Sequence, residues 1–261
     1  MYAKKLTLEN DDKPIKLIHE KTRGISLNKY LADAEVASRR GAEAIIQAQR
    51  VKIDGLVAKL GDRVYDHQTV SLDDQPVKPI QQKVYYILNK PKGIVCTTEL
   101  VEDNIIEYMN VNEKIFPVGR LDKDSTGLII LTNDGDIVNK ILRNEFGHEK
   151  EYVVTVDKPL EPSFLNYMKE GVVIYNQKKN TYQQTLPCEI KALDEYRFSI
   201  TLKEGMNRQI RRMTQALGYH VEALERIRVM NFNLDGLPIG YYRDLTNDEL
   251  IYLKEHLVNV K

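Results

Sequence analysis

From Val84 onwards the chain repeats one device, a short apolar or alternating run followed by a polar turn. At least six such runs occur: Val84–Asn89, Leu128–Thr132, Tyr152–Asp157, Cys188–Leu193, Phe198–Leu202 and Leu224–Phe232. Each has the length of a strand. Several follow one another through short polar turns, which suits antiparallel pairing, because parallel neighbours need a crossover of a dozen or more residues. Three-and-four spacing falls between some of them, at Ile137/Val138/Ile141/Leu142, Phe164/Leu165/Met168 and Ile210/Met213/Leu217. Gly171 and Gly218 stand where C-terminal helix caps belong. The pattern predicts α+β architecture, a mostly antiparallel sheet flanked by helices over residues 84–252.

A smaller unit precedes it. Ser26 can cap a helix bearing Leu27, Tyr30, Leu31 and Ala34, and Ser38 a second with Ala42, Ile45, Ile46 and Gln49. The period then changes to two at Val51 and Ile53, and Asp54-Gly55 is a strong hairpin signal. Residues 23–75 are therefore expected to form a small α+β domain. Residues 76–83, with Pro76 and Pro79, are expected to be a linker, since proline denies strand pairing. Residues 1–22 are expected to be a mobile extension and 253–261 a C-terminal tail.

Length and composition narrow the function classes. The 261 residues amount to about 1.7 average domains, which fits two unequal ones. With 42% apolar residues, and no run near the ~18 that a spanning helix needs, a membrane protein is not expected. The first twelve residues hold no apolar signal segment, so the expected address is the cytoplasm. Two cysteines without CxxC spacing and five scattered histidines offer neither a disulfide framework nor a metal set. Neither a metal nor another cofactor is expected. Asp122-Lys123-Asp124-Ser125-Thr126-Gly127 opens like a calcium loop, but its twelfth position is Asn133 rather than the required Glu.

Net charge is zero, yet it is unevenly spread. Residues 13–63 carry eleven basic and six acidic side chains, and residues 203–228 six and three. Such patches suit a polyanionic partner.

Four segments carry chemistry. In Gly119-Arg120-Leu121-Asp122, followed by Lys123 to Gly127 and then Leu128 to Thr132, a charge-dense loop feeds an apolar strand. That sets a carboxylate at the mouth of a sheet, where neighbours can tune it. In Asn207-Arg208-Gln209-Ile210-Arg211-Arg212-Met213, Asn207 can cap a helix whose one face bears Arg208, Arg211 and Arg212. Positive charge in a first turn opposes the helix dipole, so these arginines need a carboxylate or phosphate partner. Lys150-Glu151-Tyr152 opens a strand, and Asn89-Lys90-Pro91-Lys92-Gly93 joins a strand to a basic turn whose lysines can meet phosphate or water.

Taken in order and spacing, Lys90-Pro91-Lys92-Gly93, the Gly119–Leu128 segment, Lys150-Glu151-Tyr152 and Asn207–Met213 resemble a pseudouridine synthase of the RsuA/RluB/RluE/RluF branch. His148–Pro159 and Tyr242–Leu250 look most like the RluF members. The resemblance spans roughly residues 23–252. It implies that residues 23–75 are an S4 RNA-binding domain, with Arg23, Lys29, Arg39, Arg40, Arg50 and Lys52 as its basic contacts. It further implies that Lys90, Arg120 and Arg208 contact RNA in the synthase domain.

The implied reaction breaks the N1–C1′ bond of a uridine, turns the uracil and rejoins it through C5. The resemblance maps the essential carboxylate onto Asp122, a stacking tyrosine onto Tyr152, and onto Arg211 an arginine that keeps the aspartate ionised. Arg120 would help hold the extruded nucleotide. Asp122 can attack C1′, attack C6 or remove the C2′ proton; the sequence leaves all three routes open. The expected substrate is a structured 23S rRNA, with a tRNA anticodon arm as a second. Another 23S or a 16S site is the alternative, as is a non-catalytic RNA-binding or ribosome-assembly factor. A monomer without protein partners is expected.

Overall fold

A computed structural model of the chain describes residues 1–8, 24–80, 82–142, 147–176 and 180–258. Two compact units emerge, Lys16–Lys83 on its own, and Met1–Ile15 together with Val84–Lys261.

The first strand, β1 (Lys4–Lys5), belongs to the larger unit. The smaller unit contains β2 (Ile25–Ser26), α1 (Leu27–Asp33), α2 (Gly41–Gln47), β3 (Val51–Ile53), β4 (Leu56–Val57), β5 (Arg63–Val64), β6 (Val70–Leu72) and β7 (Gln75–Val77). Leu27 and Leu31 of α1 and Ile46 of α2 pack on Val51, Val64 and Val70 from the strands. Strands run β4-β3-β6-β7, with β2 and β5 paired separately. Both tight turns are built from left-handed pairs, Asp54 (φ 49°) with Gly55 (φ 82°) and Asp73 (φ 49°) with Asp74 (φ 63°). That geometry matches the twist of the flanking strands.

Three local expectations are corrected here. Ser26 occupies the cap position of α1 but its side chain makes no capping bond. The cap position of α2 is Arg40, while Ser38 Oγ accepts from Gly41 N–H at 3.0 Å one turn earlier. The supposed linker begins inside a strand, because Pro76 pairs opposite Ser71 in β7. An edge strand tolerates proline, since its missing N–H would face outward.

The larger unit continues with β8 (Tyr85–Lys90), α3 (Ile105–Met109), β9 (Phe116–Val118), β10 (Thr126–Thr132), α4 (Gly135–Leu142), β11 (Lys150–Val156), α5 (Pro162–Glu170), β12 (Val173–Asn176), β13 (Thr181–Gln184), β14 (Glu189–Ala192), β15 (Arg197–Leu202), α6 (Gln209–Ala216), β16 (Val221–Val229), β17 (Phe232–Asn233), β18 (Tyr241–Asp244) and α7 (Asn247–Leu253). Its main sheet runs β1-β18-β8-β10-β16-β11-β15-β14, with β9 also on β10 and β17 on β16. Pairing is antiparallel except at β1/β18 and β10/β16. The α+β expectation with a mostly antiparallel sheet is borne out.

The parallel β10/β16 junction is a seam between two half-sheets. One half packs Leu88, Ile129 and Leu131 against Ile105 and Met109 of α3. The other packs Val154, Phe198 and Ile200 against Phe164 and Met168 of α5 and Met213 of α6. Tyr152 touches both cores, so it stands at the seam.

Gly127 lets the seam close. It pairs opposite Arg226 and has φ 106°. A Cβ there would lie 2.3 Å from the Arg226 carbonyl oxygen and 2.6 Å from its nitrogen, both backbone atoms that cannot swing aside. Gly127→Ala is therefore expected to cost about 3 kcal/mol or more, from backbone strain and a forced separation of the half-sheets. Urea unfolding monitored by circular dichroism measures it.

Both ends also depart from expectation. Lys4 and Lys5 pair in parallel with Tyr241 and Tyr242, so the start of the supposed extension is an edge strand. The supposed tail continues α7 as a π-helical turn, Lys254–Val258, with Leu253 and Leu257 buried. Thr246 and Glu249 form a reciprocal capping box at the start of α7. The same Glu249 takes a buried two-pronged ion pair from Arg243, at 2.7 and 2.9 Å.

Candidate active site

The β9–β10 loop carries the site. Gly119 (φ 81°) turns the chain away from β9, and Leu121 is drawn into the core beside it. A turn closes where Ser125 N–H donates to the Asp122 carbonyl at 3.1 Å. From behind, Leu121 N–H donates to Cys96 Sγ at 3.4 Å and Gly93 N–H to the Lys123 carbonyl at 2.7 Å. The Lys90–Gly93 turn is thus a clasp on the loop. With its backbone tied down, the loop holds Asp122 with a side chain 26% exposed.

Two arginines from the start of α6 meet this loop. Arg211 Nε lies 3.8 Å from Asp122 Oδ2, and its Nη2 3.2 Å from Asp124 Oδ2. Arg208 Nη1 lies 3.5 Å from Asp122 Oδ2 and 3.4 Å from Asp124 Oδ1. Arg211 is nearly buried and is steered further by Ser125 Oγ and the Val221 carbonyl, each accepting at 3.3 Å. Its Nε is buried without a hydrogen bond and points at Asp122 from just beyond bonding distance. Burial pushes the Asp124 carboxyl up, but the Arg211 and Arg208 guanidiniums outweigh it and hold the group below the usual carboxylate range. These two carboxylates are the partner that first-turn positive charge required.

The basic face drawn from helical spacing divides in two. Arg208 is the cap residue of α6, in a left-handed conformation (φ 50°), and Asn207 is not the cap. Asn207 Oδ1 instead accepts from Arg212 Nη2 at 2.9 Å, and Arg212 Nη1 donates to the Tyr175 carbonyl at 2.9 Å. Arg212 therefore ties α6 to β12, while Arg208 and Arg211 serve the aspartates.

A cleft of about 470 Å³ opens in front of Asp122, and Tyr152, Arg120, Lys150, Arg208 and Arg226 are among its walls. That volume suits one small ligand or one extruded nucleotide. Arg226 reaches the cleft through an irregularity. The β11/β16 register shifts between Glu151 and Tyr152, so Glu151 faces Arg228 and Tyr152 faces Arg226. Arg228 then pairs with Glu151 at 2.9 Å and Glu149 at 3.2 Å, and Arg226 joins Tyr152 at the cleft. A bulge of this kind re-aims a side chain.

Other expected contacts fare unequally. Lys90 is fully buried, and its Nζ donates to the Pro91 carbonyl at 2.8 Å, so it is not a surface RNA contact. Burial pulls its ammonium below the usual lysine value, and the charge environment includes Asp124 and Asp122. Lys29 is largely buried and pairs with Asp33 at 2.8 Å. Arg50 and Lys52 reach back to Asp73 and Asp74, the latter at 2.6 Å. Arg39 and Arg40 are exposed, as is Arg120 at the cleft. Arg23 lies outside the described residues. The reading of residues missed Arg226, Cys96 and Ser125, and it gave Lys150 no role. Only a register shift brings Arg226 to Tyr152, and no local pattern announces it.

Comparison with known proteins identifies the family. The sequence profile of RNA pseudouridylate synthases matches residues 84–216, and that of the S4 domain residues 26–70. The dual-specificity RNA pseudouridine synthase RluF of Escherichia coli (strain K12) is 47% identical over 238 residues, 90% of this chain and 80% of the relative. The ribosomal large subunit pseudouridine synthase B of Bacillus subtilis (strain 168) is 33% identical over 238 residues, 87% of this chain and 95% of the relative. A crystal structure of a pseudouridylate synthase superposes with a TM-score of 0.63 at 31% identity, covering 90% of this chain and 100% of that one. Two matched domains in the expected order, and close relatives spanning most of their own length, put this chain in the RNA pseudouridylate synthase family, with an S4 domain ahead of its catalytic domain.

Proposed function

We propose that the chain isomerises one uridine of 23S rRNA and one in a tRNA anticodon arm, with Asp122, Tyr152 and Arg211 as its catalytic residues. The observation that carries this is Asp122 at a cleft shared with Tyr152, its carboxylate facing Arg211. Similarity to a dual-specificity synthase supports the pair of substrates. The working form is a cytoplasmic monomer without protein partners. Among the described residues no helix is long and apolar enough to cross a membrane.

The chemistry follows from these groups. The target base is out of reach inside a stack, so the nucleotide must turn out into the cleft. Arg120 at the rim stands where it can hold the extruded backbone. Tyr152 offers a ring face at the seam for the uracil to stack on. Asp122 supplies its carboxylate to the sugar or base, as glycosidase carboxylates do at an anomeric carbon. Arg211 and Arg208 keep that side chain in place. The uracil then rotates, C5 bonds to C1′, and the C5 proton leaves while the freed N1 takes one up, with no net change in composition. Arg39 and Arg40 of the S4 domain supply phosphate contacts, which position an RNA without reading it.

Incubating the purified chain with C5-tritiated 23S and tRNA transcripts is expected to release tritium from both. Pseudouridine mapping of total RNA, with and without the chain, is expected to lose one site in each. No release from either transcript, or release from 16S rRNA alone, would overturn the proposal.

A further inference from the structure

The cleft holds more positive charge than its acids account for. Its walls include four cations, Arg120, Lys150, Arg208 and Arg226, against two carboxylates, Asp122 and Glu204. Arg208 is committed to Asp122 and Asp124. Glu204 is engaged elsewhere, its Oε1 accepting from Leu186 N–H at 2.9 Å and Gln209 Nε2 at 2.6 Å. Arg120 is exposed to solvent, which leaves Lys150 and Arg226. Among the described residues neither pairs with a carboxylate. Lys150 Nζ donates to the His148 carbonyl at 3.1 Å, and Arg226 donates from Nε to the Leu128 carbonyl at 2.8 Å. Arg226 is 5% exposed. Burial, and then the neighbouring Arg226, pull the Lys150 ammonium below the usual lysine value. A buried and a half-buried like charge side by side without a carboxylate partner are costly, and an anionic ligand between them would relieve the cost.

Position fits the purpose. Lys150 and Tyr152 stand two apart on β11 and so share its cleft face. The register shift brings Arg226 opposite Tyr152. The two cations therefore flank the tyrosine proposed to stack on the base, whereas Arg208 and Arg211 flank the aspartates.

The reaction supplies the anion by every route. If Asp122 bonds to C1′, the N1–C1′ bond breaks and its electron pair stays on N1. If Asp122 takes the C2′ proton, a C1′=C2′ bond forms and the same pair stays on N1. If Asp122 adds to C6, the C5=C6 electrons move onto C5 and O4. In each case the uracil ring carries one negative charge, spread to its carbonyl oxygens, until C5 bonds to C1′ and its proton leaves. We infer that Lys150, seconded by Arg226, donates from Nζ to a carbonyl oxygen of that ring and holds its negative charge through the rotation. The inference rests on the isomerase reading of this cleft.

The test compares single-turnover rates on one RNA carrying either uridine or 5-fluorouridine at the target. Fluorine stabilises the ring anion by induction, so the protein's own cation should then matter less. For uridine, Lys150→Met is expected to slow tritium release by about 10²–10³-fold, the loss typical of one transition-state donor, while RNA affinity is kept. For 5-fluorouridine, followed as loss of the parent nucleoside by mass spectrometry, the slowing is expected to be at least about tenfold smaller. Lys150→Arg, which keeps the charge, should recover most of the uridine rate. Should Lys150→Met fail to fold, Lys150→Gln gives the same comparison. An equal loss on both substrates, no loss, or a loss confined to RNA binding would overturn the inference. An inactive wild-type protein would instead overturn the isomerase reading beneath it.

Discussion

Asp122→Asn is expected to release C5 tritium more slowly than the unsubstituted protein by at least about 10³-fold, while folding and RNA affinity stay close to normal. The amide has the carboxylate's shape but neither its charge nor its nucleophilicity, so the sugar or base loses its reaction partner. The folded state loses little, because the side chain is 26% exposed and Arg208 and Arg211 keep Asp124 as a partner. Parallel measurements of tritium release, thermal unfolding and filter binding separate chemistry from stability. An Asp122→Asn protein that keeps even a tenth of the rate would remove Asp122 from the mechanism.

Arg211 should rank next. Arg211→Met is expected to lower the single-turnover rate by about 10²–10³-fold, since a preorganised charge beside the reacting carboxylate is lost. Arg211→Lys should recover little of it. One guanidinium reaches Asp122, Asp124, Ser125 Oγ and the Val221 carbonyl together, and a single ammonium cannot span those directions. The pH dependence of stability should change as well. Asp124 is held below the ordinary carboxylate value against its own burial, with Arg211 the foremost lowering influence. A depressed carboxylate stabilises the fold above its unfolded value and loses that contribution as pH falls through its folded value. Without Arg211 the folded value rises, so acid unfolding should begin at higher pH. A pH titration followed by circular dichroism would show it, and an unchanged acid midpoint would count against this account of the pair.

How much of this was legible beforehand varies by element. The strands at Leu128–Thr132, Phe198–Leu202 and around Tyr152 were readable because alternation and apolar runs are local signals. The Asp54-Gly55 turn was readable because it needs a left-handed pair, which few residues provide. The helix caps were less so. Ser26, Ser38 and Asn207 all have capping side chains, yet Arg40 and Arg208 hold two of the cap positions. Tertiary contacts decide where a short helix begins, and Arg208 is drawn to the aspartates of a distant loop. Pro76 was misread because the cost of proline in a strand depends on whether that strand lies at an edge, which only the assembled sheet shows.

By itself the sequence determined the α+β class, the two-domain order, the family, and the candidacy of Asp122, Tyr152 and Arg211, since each rests on residue types at short, fixed spacings. Tertiary structure alone decided that Gly127 must lack a side chain so the half-sheets can meet, that Lys90 lies buried beneath the loop, and that Arg226 faces the cleft while Arg228, two residues on, pairs with Glu149 and Glu151. The physical reason is common to all three. Periodicity says which residues share a face of one strand, but burial, close approach and register belong to pairs of strands far apart in the chain.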